Sequence, residues 1–233
     1  SAKALFEASE EALLATGICE PKSVVQFIRK RNFDLPKKLD TFCKLQGVQL
    51  ISIYDDAYPK SLREIHDPPL VLYVRGHLPN APYCAGVVGS RDATHYGLKA
   101  ANYFASGLSQ EGIPIISGGA KGIDTAAHEA VLKAGGITVA VLGCGLDINY
   151  PAGNQRLFER IAERGAVISE YPPGTAPMAI NFPAIIWSSN FLLILLIPAR
   201  IERNFLSVRT NANSSVKRQP RRTKFSLPSA VLY

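Results

Sequence analysis

A chain of 233 residues has room for one α/β domain with a small appendage and not for three independent domains. With 47% apolar and 19% charged residues it is neither a disordered chain nor a coiled-coil rod. The net charge of +7 points to nucleic acid, but residues 1–183 hold 18 Lys+Arg against 18 Asp+Glu, while residues 184–233 hold 8 against the single acid Glu202. The excess therefore lies in a basic tail, read either as a solvated, loose stretch or as one that meets phosphate or an acidic membrane.

Residues 1–47 read as two or three short helices, with breaks at Gly17, Pro21 and Pro36. They form a SAM-like or helix-hairpin-helix-like domain; the latter rests on the turn "LLATGI", and a plain helical cap on the main domain is the simpler reading. After Gly47 the period shifts to strands, "VQLISIY" and then "PPLVLYVRG" at 68–76. From there strand and helix alternate. "CAGVV" (84–88) runs into Gly89-Ser90-Arg91 and a helix striped by Leu98, Ala101, Ala105 and Leu108. "IPIIS" (113–117) enters Gly118-Gly119-Ala120-Lys121-Gly122 and a helix from about Asp124 to Gly135. "ITVAVLG" (137–143), a helix from about Asn154 to Gly165, and "AVISE" (166–170) follow. The seven-residue apolar run from Phe191 to Ile197 is too short for a membrane span and reads as a buried strand. Strands apolar on both faces, alternating with helices of this length, predict a doubly wound, mainly parallel sheet over 48–200 beside the small N-terminal helical domain. Residues 201–233 form an atypical basic tail.

Three consecutive strands end in small residues: Gly89-Ser90, Ser117 to Gly122, and Gly143-Cys144-Gly145. The three turns are expected on the carboxyl edge of the sheet, where such folds bind ligands. Helix N-termini there offer unpaired N–H groups, and glycine allows close approach of a phosphate oxygen. Arg91 and Lys121 add full charges. Tight turns favour glycine in any such fold, but two cations on successive turns favour an anion cleft. Neither G-x-x-x-x-G-K-[ST] nor G-x-G-x-x-G occurs, which disfavours ATP hydrolysis and nicotinamide chemistry.

Catalytic constellations are scarce. Asp124 and His128 share a helix face and are read as a local helix-stabilising contact rather than an acid/base pair. No serine sits in a G-x-S-x-G elbow, and His66, His77 and His95 fall in or near turns without ligand spacing. Glu170 either touches a ligand or anchors the loop at Tyr171-Pro172-Pro173. Cys19, Cys43, Cys84 and Cys144 form no C-x-x-C pair, so neither a metal site nor a disulfide scaffold is expected. No secretory signal is visible, and a cytoplasmic location is expected.

The text "YPKSLREIHDPPLVLYVRG" (58–76), "VVGSRDATHYG" (87–97), "SGGAKGIDTAAHEAVLKAGG" (117–136), "AVLGCGLDINYPAGNQRLFERI" (140–161), "ISEYPPG" (168–174) and "NFP" (181–183) resembles the DprA/Smf family of DNA-processing proteins. The resemblance implies a Rossmann-like domain that binds single-stranded DNA without cutting it, dimerises, and helps load the RecA recombinase during natural transformation, with no cofactor. By position it implies a strand-binding site of Gly89, Ser90, Arg91, Ser117, Gly118, Gly119, Ala120, Lys121, Gly122 and Asn154. Lys121 stands where the family usually has Arg, keeping the charge and losing the planar fork. Asp124, His128, Asp147, Tyr150 and Asn154 fall on motif positions expected to shape the loops. The alternative is a lysine-decarboxylase-like phosphoribohydrolase, whose P-G-G-x-G-T-x-x-E signature is absent.

After Pro183 the family pattern breaks. Ala184 passes directly to Ile185 without the usual Arg-Asn-Arg step, and "SVRTNANSSVKRQPRRTK" has no apolar periodicity. A slip of reading frame after about residue 183 accounts for the loss, with "FSLP" (225–228) echoing a last strand. Dimerisation and recombinase loading, which depend on that region in the family, are then in question.

Overall fold

Alternation of apolar side chains within short strands sends successive residues to opposite faces of one sheet. The computed structural model describes residues 2–178 and 181 and, as backbone alone, 193–197 and 208–209. Its strands are β1 (Val48–Ser52), β2 (Val71–Gly76), β3 (Ala85–Gly89), β4 (Ile115–Ser117), β5 (Thr138–Leu142), β6 (Ala166–Ser169), β7 (Leu193–Ile197) and β8 (Val208–Arg209). Their order in the sheet is β1-β2-β6-β5-β4-β3-β7-β8. The run from β6 through β5, β4 and β3 to β7 is parallel, and β1, β2 and β8 pair antiparallel. A Rossmann-like, mainly parallel sheet is thus what the patterning produces. The predicted tail over 201–233 and the proposed change of frame lie outside the described residues, β8 excepted.

Helices connect the parallel strands: α6 (His95–Gln110), α7 (Ile123–Lys133) and α8 (Gln155–Arg164). Thr94 starts α6 by accepting the Gly97 N–H at 3.1 Å. Ala101 and Ala105 of α6 and Ala127 and Ala130 of α7 are all buried, and these small residues let the two helices approach closely over Ala85, Val87 and Ile115. On α8, Leu157, Phe158 and Ile161 are buried, and the helix lies against α7 and over β2, β5 and β6. The other sheet face carries Leu72, Val74, Val139, Val141, Ala166 and Ile168, packed with Tyr58 and with Leu62 of α5 (Lys60–Arg63).

The chain divides into a unit of residues 1–42 and one from residue 43 onward. The first contains α1 (Ala2–Glu7), α2 (Glu10–Ala15), α3 (Pro21–Lys30) and the start of α4 (Leu35–Gln46), so the N-terminal text holds four helices. In this unit the Arg31 guanidinium lies 5.8, 5.0 and 5.8 Å from the ring centres of Phe6, Phe27 and Phe33. Its Nη1 donates to the Ala8 carbonyl at 2.9 Å, so cation–π attraction and one backbone bond replace an acidic partner. No helix among the described residues is long and apolar enough to cross a membrane.

Topology places the site. Strands β3 to β6 step across the sheet in one direction, whereas β7 returns to the other side of β3. Such a reversal opens a crevice at the carboxyl end of the strand where it occurs, here Gly89-Ser90-Arg91.

Candidate nucleic-acid interface

Two of the three glycine turns lock together. Gly122, at φ +81°, opens α7, and a β-carbon there would lie 2.3 Å from the Ser90 carbonyl oxygen. Glycine is required by both backbone conformation and space. The next amide, Ile123 N–H, donates to that Ser90 carbonyl at 3.2 Å, tying the β3 turn to the β4 turn. Gly119, at φ +68°, packs against the Phe158 ring.

Asn154 braces the second turn from behind. It is buried, and its Nδ2 donates to the Gly119 carbonyl at 2.9 Å and to Thr125 Oγ1 at 2.8 Å. Thr125 Oγ1 in turn donates to the Ala120 carbonyl at 2.7 Å. Ser117 is fully buried and donates to the Val87 carbonyl at 2.6 Å, while Ser90 Oγ accepts the Asp92 N–H at 3.1 Å. Of the residues expected at the site, Arg91, Ala120 and Lys121 line a cavity of about 390 Å³. Gly89, Ser90, Ser117, Gly118, Gly119 and Gly122 build the two turns behind it, and Asn154 braces the second. Arg91 and Lys121 are exposed.

The third turn is not part of this cavity. Gly143, Cys144 and Gly145 are buried, and Gly145 N–H donates to the Thr175 carbonyl at 2.9 Å, because the Pro172–Thr175 loop folds over them. The opposite wall comes from further along that connection, from Asn149, Tyr150, Pro151, Ala152 and Gly153. Of this segment sequence reasoning named only Tyr150, as a loop-shaping position, and missed it as a wall of the cavity because it lies beyond the glycines that drew notice. Its signal was the polar, proline-containing run "NYPAG" before α8. The loop at Pro172 is anchored by Asp147, whose carboxylate accepts the Gly174 N–H at 2.9 Å. Glu170 takes a hydrogen bond from the Tyr171 side chain at the start of that loop; burial raises its pKa, and it is not among the cavity-lining residues.

Asp124 and His128 do not bond to each other, contrary to their reading as a local contact. The Asp124 carboxylate turns to the β4 turn, accepting the Ala120 N–H at 3.3 Å. Burial pushes its pKa up to about 6, opposed by hydrogen bonds from Ala120, Ser117, Gly118 and Gly89. His128 is fully buried beside Thr138, with Nδ1 2.7 Å from its hydroxyl oxygen, and burial pushes its pKa down to about 3. Thr138 gives its own proton to the Ile115 carbonyl at 2.8 Å, so Nδ1 is the protonated nitrogen. His66, His77 and His95 are exposed, and the four cysteines are free thiols.

A family model described as DNA recombination-mediator protein A matches residues 49–185. The chain belongs to that family. Among the similar members, the DNA processing protein DprA of Streptococcus pneumoniae is 47% identical over 142 residues, 60% of this chain and 50% of that one. The protein Smf of a Synechocystis species is 39% identical over 168 residues, 70% of this chain and 42% of that one. The chain thus spans half or less of the length of these curated relatives. In structure it resembles DNA processing protein A of S. pneumoniae with a TM-score of 0.68, at 35% identity, over 84% of this chain and 69% of that one. It also resembles the Helicobacter pylori protein, with a TM-score of 0.55 at 28% identity, over 65% of this chain and 70% of that one. The H. pylori structure was reported for its single-stranded DNA binding mode. The match to the recombination-mediator family ends two residues past Pro183, where the tail begins to depart.

Proposed function

We propose that the chain binds single-stranded DNA through the cavity lined by Arg91 and Lys121, without chemistry on the strand. As in the recombination-mediator family, it acts as a dimer that passes the strand to a RecA-type recombinase during natural transformation. The observation that carries the reading is the locked pair of turns, which fixes two exposed cations over one cavity of about 390 Å³ at the switch of a parallel sheet. Among the described residues, no acceptor is recorded for the N–H groups of Lys121 and Gly122 on the same turn. Together these groups suit a phosphodiester oxygen, which takes donors and positive charge in any sequence context. The single-stranded DNA binding reported for the H. pylori relative supports the same assignment.

Fluorescence anisotropy with a labelled oligothymidylate tests the reading. Arg91→Ala/Lys121→Ala is expected to weaken binding at least about tenfold, since each charged hydrogen bond contributes roughly 1.5–3 kcal/mol. Equal binding by both proteins would overturn the site. Release of a free base from a nucleotide would turn the reading to a phosphoribohydrolase.

A further inference from the structure

Asp124 is 6% exposed, in the first turn of α7 and directly behind Ala120, which lines the cavity. Backbone amides from two separate turns, Gly89 on one and Gly118 and Ala120 on the other, converge on its carboxylate. It is an internal anion already occupying the donors that the glycine turns were expected to offer a ligand. An external phosphate and this internal carboxylate therefore share one helix N-terminal field.

Resting on the strand-binding reading above, we propose that Asp124 is a proton-linked positioning residue: its carboxyl holds the Gly89, Gly118 and Ala120 amides in place, and it takes up a proton from solvent when a phosphodiester is seated over the turn. Ser117 and the three amides favour the ionised form, so the buried carboxyl keeps its charge through those donors alone, against the cost of burial. A second negative charge in a water-poor site disfavours the ionised carboxyl further. The ionisable groups on the adjoining turns are Arg91, Asp92 and Lys121; α7 adds His128, Glu129 and Lys133, α6 carries His95, Tyr96, Lys99 and Tyr103, and α8 carries Arg156, Glu159, Arg160, Glu163 and Arg164; none forms an ion pair with Asp124 among the described residues, and Glu129 pairs with Arg160 at 2.9 Å. Thr125 and Asn154 behind the turn are neutral, as are the buried residues of α6, Gly97, Ala101, Ala105 and Ser109.

Calorimetric titration of the full chain with an oligothymidylate at about pH 6.5, in one buffer of small and one of large ionisation enthalpy, measures the proton directly. The expected result is an uptake of about half a proton per bound strand, with affinity falling about three- to tenfold from about pH 6 to 7.5. The uptake is expected to persist in His66→Asn/His77→Asn/His95→Asn and to vanish in Asp124→Asn. Equal enthalpies in the two buffers, loss of uptake in the triple histidine variant, or retained uptake in Asp124→Asn would each overturn the inference while leaving strand binding intact. If Asp124→Asn does not fold, the wild type and the triple variant decide between a buried and a surface proton acceptor. Absence of binding by the wild type would overturn the strand-binding reading, and the inference with it.

Discussion

His128 and Asp124, one turn apart on α7, act on stability with opposite sign as pH falls. The folded protein keeps His128 neutral down to about pH 3, whereas the unfolded chain protonates it near 6.5, so stability is lost as pH drops below 6.5. Asp124 is the reverse: its folded pKa of about 6 lies above the unfolded value of 3.8, so the folded state gains the proton first and is favoured as pH falls through 6. From about pH 7.5 to 5 the histidine removes about 2 kcal/mol and the aspartate contributes about 1. Urea denaturation followed by circular dichroism is therefore expected to give a change over that interval about 2 kcal/mol more favourable in His128→Gln than in the wild type. The spacing of these two residues was legible in the sequence; their partners were not. Thr138 comes from the following strand and the Gly89 amide from the end of β3, with α6 and β4 between, and no local pattern announces either.

At the level of elements, strand and helix periods predicted the parallel core because apolar runs on both faces have no other use in a chain of this kind. The cover over each turn was less legible. Gly143-Cys144-Gly145 has the same composition as the other turns, yet lies under the Pro172–Thr175 loop, because Asp147, nearby in sequence, captures the Gly174 amide. The locked pair of turns gives a sharper prediction. Gly122→Ala places a methyl group against the Ser90 and Arg91 carbonyls at a positive φ, and is expected to cost about 3 kcal/mol and to abolish oligonucleotide binding. Thermal denaturation and anisotropy on the same variant check both parts, and wild-type behaviour in either would show that the turns move independently.

Over the whole molecule, net charge is a poor guide to where an anion binds. Residues 1–183 are formally neutral and the +7 belongs to the tail, whereas the proposed strand contact rests on Arg91 and Lys121. Counterion release for a single strand scales as roughly 0.7 per phosphate neutralised, so two contacts predict a slope of about −1.4 in log affinity against log salt. A slope of about −5 or steeper would mean that the eight basic residues of 184–233 dominate binding. The bond from Ile123 N–H to the Ser90 carbonyl has one more effect. Because a main-chain bond and the buried Asp124 carboxylate, rather than either cation, join the two turns, the separation of the Arg91 and Lys121 α-carbons behaves as a fixed ruler. Exchanging either cation alters how strongly a polymer is gripped, and only a change in turn length alters which phosphate spacing it measures.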